Sequence, residues 1–295
     1  MRNSGDSKQS MYLTDADIKK KKRNTLIVRT IIWIVIIVAA AICLMPFYSM
    51  IITSTHQNSE IARKLLLVPG EEFMDNYNRL VEVVPIWRGF LNSLFITIVS
   101  TILGLYFSAL SGYGFSKYPF KGNGILFAAV LATMMVPGQL GIIGFFRLVN
   151  EMGLLNTYWP IILPSISNAF ALFFFKQVAD NTVPHALLES GRIDGARELA
   201  IFHKIGLPLM GPSLATMGIF QFIGKWNEFL QPMILLFDQK LQTLPVLIAS
   251  VRSQFNVDYG AQYVGIVISI IPIMIVFAIF SKQIIGNVMA GAVKE

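Results

Sequence analysis

Six stretches of the chain run for at least 20 residues without an Asp, Glu, Lys or Arg: 30–55, 89–116, 122–146, 152–175, 205–224 and 259–281. A helix rises ~1.5 Å per residue, so about 20 apolar residues cross the ~30 Å of a bilayer's hydrocarbon. Six such runs predict an all-α polytopic membrane protein with six transmembrane helices. Barrel strands are excluded, because they read as ~10-residue segments of alternating hydrophobicity. The fifth helix is expected to begin near Pro212 and to continue past Lys225 and Glu228 to Phe237. Composition closes off other classes. Charged residues make up 14% and hydrophobic residues 54% of the chain, too little polar surface to solvate a globule of 295 residues. The same balance excludes extended disorder. One cysteine, Cys43, provides neither an intrachain disulfide nor a cysteine zinc site.

The basic run Lys19 to Arg23 ahead of the first apolar stretch resembles a secretory leader. The stretch behind it is too long for a leader core of about 7–15 residues. Ala40-Ala41-Ile42-Cys43 also lacks the small residue that a lipoprotein leader sets before its cysteine, so an uncleaved helix is expected. Cytoplasmic loops carry the excess of Lys and Arg. With the N-terminus inside, 16 of the 24 Lys+Arg fall in inner segments and 7 in outer ones, so both termini are expected in the cytoplasm. Outer loops then lie near 57–88, 147–156 and 238–258, and the main inner loop at 176–208. The chain divides into a basic N-terminal segment (1–25), a first transmembrane helix (26–55), an extracytoplasmic loop (56–88) and a core of five helices (89–295). Tyr48, Trp87, Tyr118, Tyr158, Trp159 and Tyr263 fall near these boundaries, where amphipathic rings settle. The net charge of +7 is therefore read as membrane orientation, with membrane lipid rather than nucleic acid as the partner.

Catalytic patterns are missing. There is no His-Glu-x-x-His, and His56, His185 and His203 stand in separate segments. No Gly-x-Ser-x-Gly occurs. Gly218…Gly224-Lys225 has one residue too many for a phosphate loop, lacks the following Ser or Thr, and lies in a membrane helix. Neither a catalytic residue nor a metal site is predicted. Lys225 and Glu228 are the ionisable residues expected within the membrane; three apart, they share a helix face, as a structural pair or as a substrate contact.

The inner loop is the most informative segment, because a long loop in a compact protein is functional or structured. Thr182 and Pro184 suit the opening turn of a short helix that carries its acids early and Arg192 late. Gly195 permits a sharp bend. A second helix is expected over 196–205, with Leu199, Phe202 and Ile205 on one apolar face, stopped by Leu207-Pro208. Apolar helices of this kind dock a protein partner or rest on the inner leaflet.

The run Glu189-Ser190-Gly191-Arg192-Ile193-Asp194-Gly195-Ala196, followed by Phe202, Ile205, Leu207-Pro208 and Pro212, resembles the coupling-loop signature of ABC importer permeases. Ser190 and Gly191 depart from it where alanines are usual; both remain small, though Gly191 weakens the helix by ~1 kcal/mol. Asn92-Ser93-Leu94, Gly112-Tyr113-Gly114-Phe115-Ser116, Met135-Val136-Pro137-Gly138-Gln139, Gly153-Leu154-Leu155-Asn156, Trp226-Asn227-Glu228-Phe229 and the tail Gly291-Ala292-Val293-Lys294 are similar to carbohydrate-uptake permeases of the maltose-permease type. The likeness covers about 92–295.

That resemblance implies a type I ABC importer permease fold in the bacterial cytoplasmic membrane. It implies a second homologous permease subunit, two ATPase subunits that bind ATP and Mg in place of this chain, and an extracytoplasmic sugar-binding protein. Glu189, Ser190, Gly191, Asp194, Gly195, Ala196, Phe202, Leu207 and Pro208 would form the ATPase-coupling elbow. The 238–258 loop would reach toward the binding protein, with Gln242, Ser250, Gln254 and Asn256 as its polar groups. Ser165, Ser167, Asn168, Gln221, Asn227 and Glu228 are candidates for the substrate pathway; small polar residues in membrane helices equally serve to bond neighbouring helices. Pro137-Gly138 kinks the third helix, as a packing feature or as a hinge. The implied function is ATP-driven sugar import, the chain itself being no enzyme. The alternatives are an ABC permease for another solute and an ion-coupled carrier.

Overall fold

The computed structural model describes residues 15–61, 63, 66–251 and 257–292, the stretches 15–24 and 282–292 as backbone only. Four helices are long and apolar enough to cross a membrane by themselves: Thr25–Thr53, Ile86–Lys117, Trp159–Thr182 and Tyr259–Ser281. Two bent pairs pass the same test only when each is taken together, Asn123–Thr133 with Gly138–Glu151 at 85° and Glu198–Leu209 with Gly211–Trp226 at 79°. With each bent pair counted as one, the described residues hold up to six spans by helix length and composition, the number expected.

Three spans depart from the apolar runs. The third breaks where a kink was expected. Pro137 is extended (φ −59°, ψ 123°), and the residue before a proline is steered out of the helical region, so the chain restarts as a new helix. The fourth begins late, at Trp159, because Gly153 (φ 66°) and Asn156 (φ 56°) turn the backbone first. It also runs on to Thr182, so 176–182 belongs to this helix and not to the inner loop; Lys176 and Asp180 pair at 2.6 Å one turn apart along it. The fifth ends at Trp226 instead of reaching Phe237. Asn227 turns its Nδ2 back to the Ile223 carbonyl at 3.0 Å, and a separate short helix, Leu230–Leu235, follows. A side chain bonding its own backbone competes with the helical ladder.

Helix Ile86–Lys117 is the central post. It crosses the fourth span at Gly112, where an added Cβ would sit 2.6 Å from the Lys176 nitrogen and 2.8 Å from the Leu172 oxygen. Membrane helices approach this closely only through small residues. Around this crossing Tyr113, Phe175, Phe202 and Met217 are buried at the elbow end of the bundle. A second core at the other end gathers Leu80, Ile86, Trp226, Leu247 and Val264. In contrast, none of the most apolar stretch of Thr25–Thr53 is buried in the chain, an arrangement that suits hydrocarbon and not water.

The end away from the elbow is tied by polar contacts. Asn76, fully buried on helix Phe73–Val83, donates to the Ser54 and His56 carbonyls at 2.8 and 3.0 Å and accepts from Arg79. Arg79 pairs with Asp258 at 2.8 Å, just before the last span. Burial pushes the Asp258 carboxyl up, but the Arg79 hydrogen bond, the Ala261 N–H and the Arg79 charge outweigh it and hold it below its ordinary value.

Candidate functional site

The elbow is a helix, a left-handed turn and a second helix. The first helix is His185–Ile193. Pro184 sits at its N-cap position, while Thr182 ends the preceding helix, its hydroxyl bonded to the Val178 carbonyl at 2.8 Å, so it does not open the elbow as expected. Glu189 lies mid-helix and exposed; the first turn carries no acid. Asp194 is the C-cap. Gly195 follows at φ 77°, with its N–H on the Arg192 carbonyl and the Ala196 N–H on that of Gly191, both 3.0 Å. This pair of bonds closes a helix end and needs a left-handed residue, which glycine supplies at least cost.

The second helix runs Glu198–Leu209, so Leu207-Pro208 lie inside it. The turn 202–206 is wide, and the Leu207 N–H reaches the Phe202 carbonyl five residues back. That extra residue lets the helix carry a proline that has no N–H to give. The bend comes afterwards, at Met210-Gly211. Its buried face is Ile201 and Phe202, with Ile205 half-buried; Leu199, expected on that face, is 61% exposed. Gly191 is buried against this face, and a Cβ there would lie 3.2 Å from Ile201 and 3.4 Å from Ile205. The departure from alanine therefore lets the two elbow helices close up. The outward surface carries Glu189, Ser190, Ile193, Asp194 and Leu199, with Ile193 86% exposed.

A cleft of about 400 Å³ opens between the central post, the 163–168 segment and the fifth span. It brings together Ser165, Asn168, Gln221 and Glu228 of the expected pathway residues, with Phe170 and Phe220 offering flat faces. Lys225 and Glu228 pair at 3.2 Å on its lining, and Lys225 Nζ also lies 3.4 Å from the Ile161 carbonyl. Asn227 is not part of it: the side chain is exposed and bonded to its own helix. Ser167 lines a neighbouring cleft of about 650 Å³, and Asn168 borders both.

Sequence reasoning missed Ser100, which is fully buried, lines the smaller cleft and leaves its hydroxyl without a partner, as do Ser165 Oγ and Gln221 Nε2. Gly104 makes room for Gln221, since a Cβ there would sit 2.6 Å from Oε1. The signal was present as small or polar residues at 93, 97, 100, 104 and 108, the spacing of one helix face. Among the described residues no three His, Cys, Asp or Glu side chains converge to hold a metal.

The 238–258 loop is anchored at its base by motif residues. Asn92 donates to the Lys240 and Gln242 carbonyls, both at 2.9 Å, and Ser93 accepts from the Leu244 N–H at 2.8 Å. Asn156 Oδ1 accepts from the Phe237 and Asp238 N–H groups at 2.6 and 3.0 Å. Helix Leu244–Ser250 then packs inward through Leu244 and Leu247. Gln242 donates to the Leu236 carbonyl just ahead of the loop at 3.2 Å and Ser250 to that of Leu247 at 2.8 Å, so both are engaged by nearby backbone. Gln254 and Asn256 lie outside the described residues.

Residues 100–288 match the family model described as binding-protein-dependent transport system inner membrane component. The chain is 37% identical to the arabinooligosaccharides transport system permease protein AraQ of Halalkalibacterium halodurans, over 86% of this chain and 92% of that one. It is 33% identical to the lactose transport system permease protein LacG of Rhizobium radiobacter, over 86% and 92%. Among solved structures, a bacterial ABC transporter involved in import of the acidic polysaccharide alginate superposes with TM-score 0.76 at 25% identity, covering 88% of this chain and 97% of that one.

Proposed function

Because the chain belongs to the family of binding-protein-dependent transport system inner membrane components, we propose that it is the permease subunit through which an ATP-driven importer carries an oligosaccharide across the cytoplasmic membrane. The relatives that transport arabino-oligosaccharides and lactose support the sugar. A family that depends on a binding protein supports an extracytoplasmic partner of that kind. A second permease subunit and two ATPases that hold ATP and Mg complete the reading.

The observation that carries it is the elbow. Two short helices meet at a bend whose left-handed residue is Gly195, with Glu189 and Ile193 exposed on its surface. In this reading both termini and the elbow are cytoplasmic, as the Lys and Arg count favours. The ATPases close on ATP, the elbow moves as a rigid body, and the attached spans rock around the cleft. The cleft offers what a sugar needs: Ser100, Ser165 and Gln221 as unpartnered polar groups, Asn168, and aromatic faces. Asn92, Ser93 and Asn156 hold the base of the loop that meets the binding protein.

The test is reconstitution of the whole importer in vesicles, with arabino-oligosaccharides and lactose as the sugars offered. Uptake should require ATP and the binding protein, and Glu189→Lys should stop uptake while the complex still assembles. Accumulation of sugar by this chain alone, or coupled uptake in the Glu189→Lys complex, overturns the reading.

A further inference from the structure

The elbow is joined to the central post by contacts that its outward residues do not make. Arg192 Nε donates to Glu198 Oε1 at 2.8 Å, and its Nη2 lies 3.4 Å from Glu198 Oε2. The last turn of one elbow helix is thereby bonded to the first turn of the other, across Gly195. Tyr118, the residue after Ile86–Lys117, donates its hydroxyl to the same Glu198 carboxylate, and the Arg192 guanidinium lies over the Tyr118 ring at 5.7 Å. One carboxylate therefore holds three elements. Farther along, His203 stacks on Tyr106 with Nε2 3.1 Å from its hydroxyl, and Phe202 meets Tyr113 ring to ring at 5.2 Å.

A moving part passes its displacement on only where its joints are stiffer than its load. Gly195 alone is a weak joint, because glycine has the widest choice of backbone angles. Three side chains closing a triangle across it turn that joint into a bracket. We propose that Arg192, Glu198 and Tyr118 are positioning residues for coupling: they fix the elbow's angle and pass its motion to the central post. The proposal rests on the reading that ATPases drive the elbow. It adds residues that tie the elbow to the central post and are distinct from the outward Glu189 and Ile193, although Arg192 and Glu198 are exposed themselves. Apolar packing of Gly191, Ile201 and Phe202 holds the elbow folded independently of the triangle.

The experiment uses the complete importer in vesicles with its binding protein and arabino-oligosaccharides. Two readouts are taken: ATP hydrolysed per sugar taken up, and the distance between spin labels on Ala186 of the elbow and Ile102 of the post, both exposed positions. In the unsubstituted importer the distance stays narrow and unchanged between ATP-trapped and nucleotide-free states. Arg192→Ala and Glu198→Ala should each raise the ATP-to-sugar ratio roughly threefold and broaden the distance, and the double variant should do little more than either, as partners in one network do. Charge exchange, R192E with E198R, should restore part of both readouts. Glu198→Gln, which keeps size and the Tyr118 hydrogen bond, should fall between and serves if the alanine variants fail to assemble. An unchanged ratio with an unchanged distance in the Arg192 and Glu198 variants, or additive losses in the double, overturns the brace. Glu189→Lys separates the two ideas: if it leaves coupling intact, the driven-elbow reading fails first; if it uncouples while the brace variants do not, only the brace fails.

Discussion

Gly195 offers a test in which backbone conformation is the main variable. Its φ is 77°, and a Cβ added there meets nothing within 4 Å, so a larger residue suffers no clash. The penalty is that of a left-handed backbone, about 1–2 kcal/mol for an L-residue. Alanine recovers about 0.4–1 kcal/mol because it also restricts the unfolded chain. The net cost of Gly195→Ala is then about 1 kcal/mol, roughly fivefold in the population of the bent elbow. Asparagine visits this region more readily and should cost less; valine, stiff at its β-carbon, should cost more. Proline locks φ near −65° and deletes the N–H that bonds the Arg192 carbonyl at 3.0 Å, so it should exceed ~3 kcal/mol. Uptake per ATP in vesicles should fall in the order Gly, Asn, Ala, Val, Pro, with complex yield constant through alanine. Equal coupling across the series, or a coupled proline variant, refutes the argument that the bend is what the motor holds.

Two further outcomes follow from the packing. Gly112→Ala should cost at the top of the about 1–3 kcal/mol range for overpacking, because the obstacle is backbone of the fourth span, while Gly114→Ala, which meets nothing within 4 Å, should be neutral or stabilising in a detergent unfolding assay. The folded Asp258 carboxyl is held below its ordinary value of 3.8. Its contribution is therefore fully present above that value and lost as pH falls through the folded one. Unfolding temperature should hold from neutral pH to about 4 and drop below it, and Asp258→Asn should flatten that drop.

The spans were legible because hydrophobic length is a solvent requirement that every membrane helix must meet. Their ends were not, because ends depend on local turns. Pro137 and Asn156 broke runs that contain no charge, and Lys176 with Asp180 carried a helix beyond one. Gly195 was legible, since a left-handed turn leaves few choices of residue. Pro208 misled, because the wide turn ahead of it absorbs a proline that would otherwise stop a helix. Asn168 and Gln221 were found as polar residues in apolar runs, but Ser100 was not, and Asn227 has the same chemistry with a different direction. Tyr118 read as an interface aromatic, yet its hydroxyl is bound to Glu198, 80 residues away in sequence and invisible to any local pattern.

The fifth span has a consequence for the path a solute travels. Gly211–Trp226 is 16 residues, a rise of about 24 Å, some 6 Å less than the ~30 Å hydrocarbon slab. The junction at its end carries Lys225, Asn227 and Glu228, and the paired Lys225 and Glu228 line the cleft. Charge at the end of so short a helix is costly to bring into lipid, which favours a hydrated mouth to that cleft.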